Sequence, residues 1–460
     1  MNSYRNFVKD NKKQMLRLLS ELISIPSVMG YATDSYPFGK EPAQALSVIL
    51  RSASQMGFTV SNSENYYGTV DYLPDNATEP SLAVLCHLDV VPEGKGWTYP
   101  PFTLTEKDGI LYGRGVTDDK GPAVSALYAL YAIKKLGVKL SKGVRLIFGT
   151  NEENGSADIE YYLQRDRIPS MVFTPDASYP VITCEKGMAR MTFSADISNS
   201  DIISINGGQV INAVPSEAEA VISNRHYDSL KSFTANCNNG CVYSIYIENE
   251  TVRIISKGKS AHASTPENGK NAITGLLQIL CSLEISDKPT AKLLWDIIAR
   301  YPHGETNGRS LGVFCSDESG ALTSVLSLID AKDGKLTFST DTRFPCSMNC
   351  DELKSKVNAS IENTGITLSD FTGTEPHYTS PECFLAKTLL DVYEEETGKK
   401  GECLSIGGGT YVHGISGGVA FGVEHPGTDY RIHGADEFVP ISEFYDNTVM
   451  FAKAIEKLCK

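Results

Sequence analysis

Between Leu82 and Asp176 the chain repeats one pattern, a short apolar run followed by an acid or a histidine. Leu82-Ala83-Val84-Leu85-Cys86 gives way to His87-Leu88-Asp89, Val144-Arg145-Leu146-Ile147-Phe148 leads into Thr150-Asn151-Glu152-Glu153, and Met171-Val172-Phe173 ends at Asp176. Apolar runs of this length read as buried strands. Between the first two, Lys120 to Leu136 carries apolar and small residues at helical spacing and stops before Gly137, a C-terminal cap signal. A further helix is expected from about Ser156 to Gln164. Strand, helix, strand, helix, strand is the rhythm of a mainly parallel sheet sandwiched by helices, an α/β fold. Polar residues leaving the strand ends of such a sheet converge on one crevice, which is where α/β proteins bind ligands.

The texture changes beyond Lys186. Met188 to Ile197, Glu217 to Ile222, Val242 to Ile247 and Val252 to Ser256 alternate or are β-branched, and Asn271 to Leu283 has helical spacing, which together predict an α+β insert with antiparallel strands. Leu385 to Glu396 and Ser442 to Leu458 read as helices and Gly418 to Val423 as a strand. The expected organisation is a discontinuous sheet domain, 1–186 and 380–460, with a second domain, 187–379, inserted in it. Ala43 to Met56 reads as a helix ending at Gly57. Met1 to Leu22, with Arg5, Lys9, Lys12, Lys13 and Arg17 set between apolar positions, reads as an amphipathic surface helix and not a signal peptide.

A formal net charge of −14 over 460 residues argues against non-specific binding to nucleic acid or to an anionic membrane. No run of about 18 apolar residues is present to span a bilayer, so the expected address is the cytoplasm. The eleven cysteines are scattered through apolar contexts and read mostly as buried thiols. Cys237-x3-Cys241 and Cys346-x3-Cys350 have the spacing of half a zinc finger each, but neither has histidines at finger spacing.

The chemistry concentrates in five places. In His87-x-Asp89 the two side chains lie on the same side of a strand, so the imidazole can ligate a metal while the acid orients it; a hydrogen-bonded surface histidine is the plain alternative. Asp118-Asp119 stands between Gly113-Arg114-Gly115 and the helix start. One carboxylate there can bridge two cations about 3.5–4 Å apart, or the pair can simply cap the helix. Glu152-Glu153 places like charges side by side, which a cation taking one of them would relieve, leaving the other as a proton acceptor. A solvated helix start is the alternative there. Asp176 adds an acid, and His433-Gly434-Ala435-Asp436-Glu437 adds the last imidazole. Two histidines and three carboxylates fill two metal sites that share one bridge.

These motifs, with His87-Leu88-Asp89-Val90-Val91-Pro92, Gly113-Arg114-Gly115-x-x-Asp118-Asp119-Lys120-Gly121-Pro122 and Asn151-Glu152-Glu153 in order, resemble the aminoacylase and carboxypeptidase superfamily of dinuclear zinc peptidases. The long insert and Gly407-Gly408-Gly409-Thr410-Tyr411 are most similar to its peptidase V-type branch, monomeric dipeptidases related to carnosinases. The resemblance implies one ion on His87 and Asp176, another on Glu153 and His433, and Asp118 bridging them. It further implies Glu152 as general base, Asp89 as the orienter of His87, and a cis bond between Asp118 and Asp119. It makes the discontinuous sheet domain catalytic and the insert, 187–379, a lid or substrate-binding domain, and it implies Asn212 and His262 at the substrate, with His262 on the oxyanion, Arg343 on a substrate carboxylate, and Gly408, Gly409 and Thr410 in the substrate site. A salt bridge from Arg343 to Asp341 is the plain alternative for that arginine. His413 stands where the family leads one to expect a longer basic side chain.

The implied reaction is hydrolysis of dipeptides with free ends, β-Ala-Xaa or Xaa-His types among them, through a metal-bridging hydroxide. Its cofactors would be two divalent ions, zinc first, with manganese and cobalt sharing the same donors. The partner would be a small peptide, and the enzyme a monomer. The rivals are a deacylase of N-acyl amino acids, of acetylornithine or succinyl-diaminopimelate type, and a non-catalytic metal-binding protein on the same scaffold.

Overall fold

The structure is a computed structural model that describes residues 3–197 and 201–460. The chain divides into two compact units, Met1–Thr183 with Tyr378–Leu404 and Gly409–Lys460, and Cys184–His377 with Ser405–Gly408.

In the first unit the strands Gly143–Gly149, Pro80–His87, Met171–Thr174 and Gly418–Ala420 lie side by side in that order, all parallel. The flanks are antiparallel. Tyr67–Tyr72 pairs with Gly143–Gly149 and then with Thr59–Ser63, and Val181–Glu185 runs against Gly418–Ala420. The sheet is therefore mixed, with its parallel strands in the middle. Thr59–Ser63 and Tyr67–Tyr72 need no crossover, because Glu64 and Asn65 take φ of 52° and 62° and turn the chain directly.

Helix Lys120–Lys135 buries 13 of its 16 residues. A helix apolar all round must be covered all round, and this one packs on the central strands with helices Ser3–Ile23 and Ile441–Cys459 against its other side. Ser3–Ile23 buries one face, Tyr4, Phe7, Val8, Met15, Leu18, Leu19 and Leu22, as the amphipathic spacing predicts; Met1, where that prediction starts, lies outside the described residues. Gly121 is a steric necessity. A Cβ there would stand 2.0 Å from the Val116 carbonyl oxygen, so the loop carrying Asp118 folds back onto the first helical turn only over glycine.

The second unit is an eight-stranded sheet in the order Val242–Glu248, Thr251–Lys257, Glu217–Ser223, Ile202–Gly207, Thr323–Lys332, Lys335–Phe344, Gly187–Asp196, Thr367–Thr374. Every pairing in it is antiparallel. Ala272–Cys281 and Lys288–Arg300 join it in a separate apolar core, in which Phe193 and Phe338 stack at 4.6 Å. All eleven cysteines are free, and among the described residues no three metal-binding side chains gather around Cys237–Cys241 or Cys346–Cys350. No helix among the described residues is long and apolar enough to cross a membrane.

Candidate metal centre

Strand Pro80–His87 ends in a fully buried imidazole. Its Nδ1 lies 3.1 Å from the Asp89 carbonyl oxygen and 3.4 Å from Asp89 Oδ1, which turns Nε2 inward. Nε2 then sits 3.0 Å from Asp118 Oδ1 and 3.8 Å from Asp176 Oδ2. The other oxygen of the same carboxylate, Asp118 Oδ2, is 2.9 Å from His433 Nε2, which is also 3.2 Å from Glu153 Oε2. Asp118 thus faces two imidazoles, one with each oxygen. Donor atoms of His87, Glu152 and Asp176 gather within 4.8 Å of one another, and so do those of His87, Asp118 and Glu153.

The neighbouring acid does something different. Asp119 is buried, and its Oδ2 accepts the His87 backbone N–H at 2.9 Å, so it holds the end of the strand. The Asp118–Asp119 peptide is cis.

Two further carboxylates shape the loops. Asp89 accepts the Glu152 N–H on Oδ1 at 3.0 Å and the Glu153 N–H on Oδ2 at 3.1 Å, a second task beyond orienting His87. Glu437 is fully buried and accepts the N–H groups of Gly115, Thr117 and Asp118 as well as Arg114 Nη1 at 2.7 Å. Neither task is visible along the chain, because each bond joins residues 63 to 323 positions apart. His433 itself takes φ of 62°, a left-handed conformation that side-chain-bearing residues seldom adopt.

Burial and then the Asp176 charge push the Glu152 carboxyl well above its usual range. Against the cost of burial, the bonds to His433 and His87 hold Asp118 below the ordinary carboxylate range. Hydrogen bonds to Asp118 and Glu153 raise His433 to about 10. Acids and imidazoles packed this closely supply the donor set that a cation site requires.

The donor set fits divalent cations. Ligand atoms around a four-coordinate zinc at about 2.05 Å lie roughly 3.3 Å apart, and the separations of 2.9–3.8 Å above bracket that spacing. Nitrogen and carboxylate donors suit zinc, manganese and cobalt alike.

The remaining candidates belong to the second unit, except Gly409 and Thr410. His262 is exposed on a two-residue strand beside Ala213, with Nδ1 2.6 Å from Ser264 Oγ, and the Asn212 carbonyl accepts the Ala263 N–H at 2.9 Å. Arg343 realises the plain alternative. It is buried, its Nε and Nη2 bind Asp341 at 2.6 and 3.0 Å, and its Nη1 donates to the Gly407 carbonyl at 3.0 Å. Three of its five N–H donors are engaged by these bonds. A Cβ on Gly408 would meet nothing within 4 Å, Gly409 lies against His413, and the Thr410 carbonyl accepts the His413 N–H at 2.8 Å.

Residues 83–457 match the family described as Peptidase family M20/M25/M40. Among curated proteins, the Beta-Ala-Xaa dipeptidase of Lactobacillus delbrueckii subsp. lactis is 34% identical over 472 residues, covering 100% of this chain and 98% of that protein. YtjP of Bacillus subtilis (strain 168) is 34% identical over 465 residues, with 98% of each chain covered. Among solved structures, human carnosine dipeptidase 1 superposes with a TM-score of 0.60 at 14% identity, covering 99% of this chain and 98% of the other, and so shares the fold.

Proposed function

The chain belongs to peptidase family M20/M25/M40 and is a peptidase, and from that premise we propose that it is a two-metal dipeptidase acting on short peptides with free ends, β-Ala-Xaa substrates among them. The observation that carries the reading is Asp118, whose two oxygens face His87 and His433 at 3.0 and 2.9 Å, with the Glu152 carboxylate gathered beside His87 and Asp176. The substrate class rests on the full-length 34% identity to a Beta-Ala-Xaa dipeptidase.

His87, Asp118 and Asp176 would hold one ion and Asp118, Glu153 and His433 the other. Two divalent ions held there would supply Lewis acidity to a water and to the scissile carbonyl. Glu152 takes the proton from that water as its oxygen bonds the carbonyl carbon. As the C–N bond breaks, Glu152 returns the proton to the leaving amine. Asp89 keeps this base in place through the Glu152 and Glu153 amides. The reading assigns Asn212, His262, Gly408, Gly409 and Thr410 to the substrate, with His262 on the oxyanion through its free Nε2, and gives Arg343 the substrate carboxylate through its two unengaged N–H donors. Eleven unpaired cysteines suit a reducing cytoplasm, where we place the enzyme as a monomer.

The test is a panel of dipeptides and N-acetylated amino acids assayed before chelation, after it, and after add-back of zinc, manganese or cobalt. Dipeptide turnover that vanishes and returns supports the reading, and turnover of the acetylated set alone makes the protein a deacylase. Glu152→Gln should bind two ions yet lose at least about a thousandfold in kcat. Near wild-type turnover in that variant removes the proposed base, and ion binding with no turnover by the parent protein makes it a binding protein.

A further inference from the structure

The backbone amides leading into and through the Glu152-Glu153 turn are all held by side chains. Asp89 takes the last two, as above. Thr150 and Asn151 donate to Asp158 Oδ2 at 2.6 and 2.7 Å. That same oxygen accepts a third bond, from the Tyr411 hydroxyl at 2.8 Å. Asp158 and Tyr411 are both buried, at 0% and 2% exposure, so neither has water to fall back on. The Tyr411 ring also meets the His87 ring edge-on, centroids 5.9 Å apart at 86°.

The backbone is cut to admit this contact. Gly149 lies directly opposite His87 in the parallel ladder. A Cβ on it would stand 1.6 Å from the Tyr411 hydroxyl oxygen and 2.3 Å from Asp158 Oδ2. Any other residue at 149 would evict the hydroxyl.

We propose that Tyr411 is a positioning residue for the general base. Its hydroxyl completes the coordination of Asp158, Asp158 fixes the amides of Thr150 and Asn151, and the turn they begin presents Glu152. The role rests on the assignment of Glu152 above. A carboxylate sealed from water keeps its charge only while its bonds are complete. Burial and the nearby Asp89 charge raise Asp158 to about 6, and the Tyr411 hydroxyl is the foremost influence pulling it back. Without that hydroxyl the Asp158 carboxyl takes a proton more readily and grips the two amides less well. Glu152 would then wander by fractions of an ångström, which proton transfer feels and ground-state binding does not.

The test uses the full-length, metal-loaded protein and three variants, Tyr411→Phe, Asp158→Asn and the double variant. Tyr411→Phe removes one oxygen and keeps the ring on His87. The expected result is two ions still bound by calorimetric zinc titration, KM for a dipeptide within twofold, and kcat down about tenfold. Hydrogen exchange at amides 150–153 should quicken while the central strands stay protected. Since Tyr411 acts through Asp158, the double variant should be no slower than Asp158→Asn alone. The inference is overturned by a kcat within twofold of the parent, by exchange unchanged at 150–153, or by losses that add in the double variant. If Tyr411→Phe melts below the assay temperature, Asp158→Asn, which keeps the side-chain volume, carries the comparison of kcat, KM and exchange. The exchange measurement needs no substrate, so a parent protein that cleaves no dipeptide defeats the functional reading while the tether is still judged on its own.

Discussion

At the scale of single residues, adjacent acids part company. Asp118 faces two imidazoles while Asp119 turns to the His87 amide, and Glu152 and Glu153 share one anchor in Asp89 yet point into different donor groups. The acids and imidazoles in these motifs were legible in the sequence, because few folds have use for them at the ends of apolar runs. Asp158 was not, and although Tyr411 and Glu437 stand inside the motifs, their bonds to Asp158 and Arg114 were not legible either, since the partners lie 253 and 323 positions away. Protonation follows from the same contacts. His433 is raised from 6.5 to about 10 by Asp118 and Glu153, so the metal-free fold gains stability from its charged form, fully present below the unfolded value and lost as the pH climbs through about 10. An ion must displace that proton. Metal titration near pH 7.5 in two buffers of different ionisation enthalpy should therefore show proton release, reduced by about one in His433→Gln. Equal release in both proteins would mean that His433 binds its ion already neutral.

At the scale of elements, the helices of the first unit and the central strands follow from periodicity, whereas in the second unit the helices Tyr227–Asn236, Lys288–Arg300 and Cys350–Ile361 and the hairpin Thr323–Lys332 and Lys335–Phe344 do not stand out in the sequence. Its turn, Asp333-Gly334 with φ of 52° and 83°, is a strong hairpin signal. The second strand hides it, because Thr340, Asp341, Thr342 and Arg343 are all buried and break the apolar alternation. Its arginine satisfies an aspartate two residues away, a local pairing that the strand's pleat makes easy. The helix start Lys120–Lys135 offers a sharper test of how elements present chemistry. Since a Cβ at Gly121 would meet a backbone oxygen at 2.0 Å, Gly121→Ala should cost about 2 kcal/mol or more in denaturant unfolding. It should also weaken metal binding by displacing the Asp118 loop. Parent-like stability together with parent-like affinity would show that the loop yields at no cost.

At the scale of the whole molecule, the candidate ions belong to the first unit alone, and each unit has its own apolar core. Ligands that bind only the folded state stabilise it by RT ln(1 + [L]/Kd), about 4 kcal/mol at a thousandfold excess over Kd. Chelation also leaves Asp118, Glu152, Glu153 and Asp176 crowded together with only protons to offset them. Calorimetry with and without a chelator should therefore show one transition that falls when metal is withdrawn and one, from the inserted unit, that does not. A single transition moving as a whole would mean that the two units unfold together.

The sequence alone determined the kinds of donors, their place at strand ends, and an antiparallel insert within an α/β chain, because these rest on residue chemistry and on periods of two and 3.6 that act over a few positions. The resemblance singled out Asp118 over Asp119, and the chain offered Asp341 to Arg343 as one of two partners; which carboxylates hold the loops was decided only by the tertiary structure. A buried polar group takes whatever partner packing brings within about 3 Å, and Glu437 reaches Asp118 across 319 residues that no local rule spans.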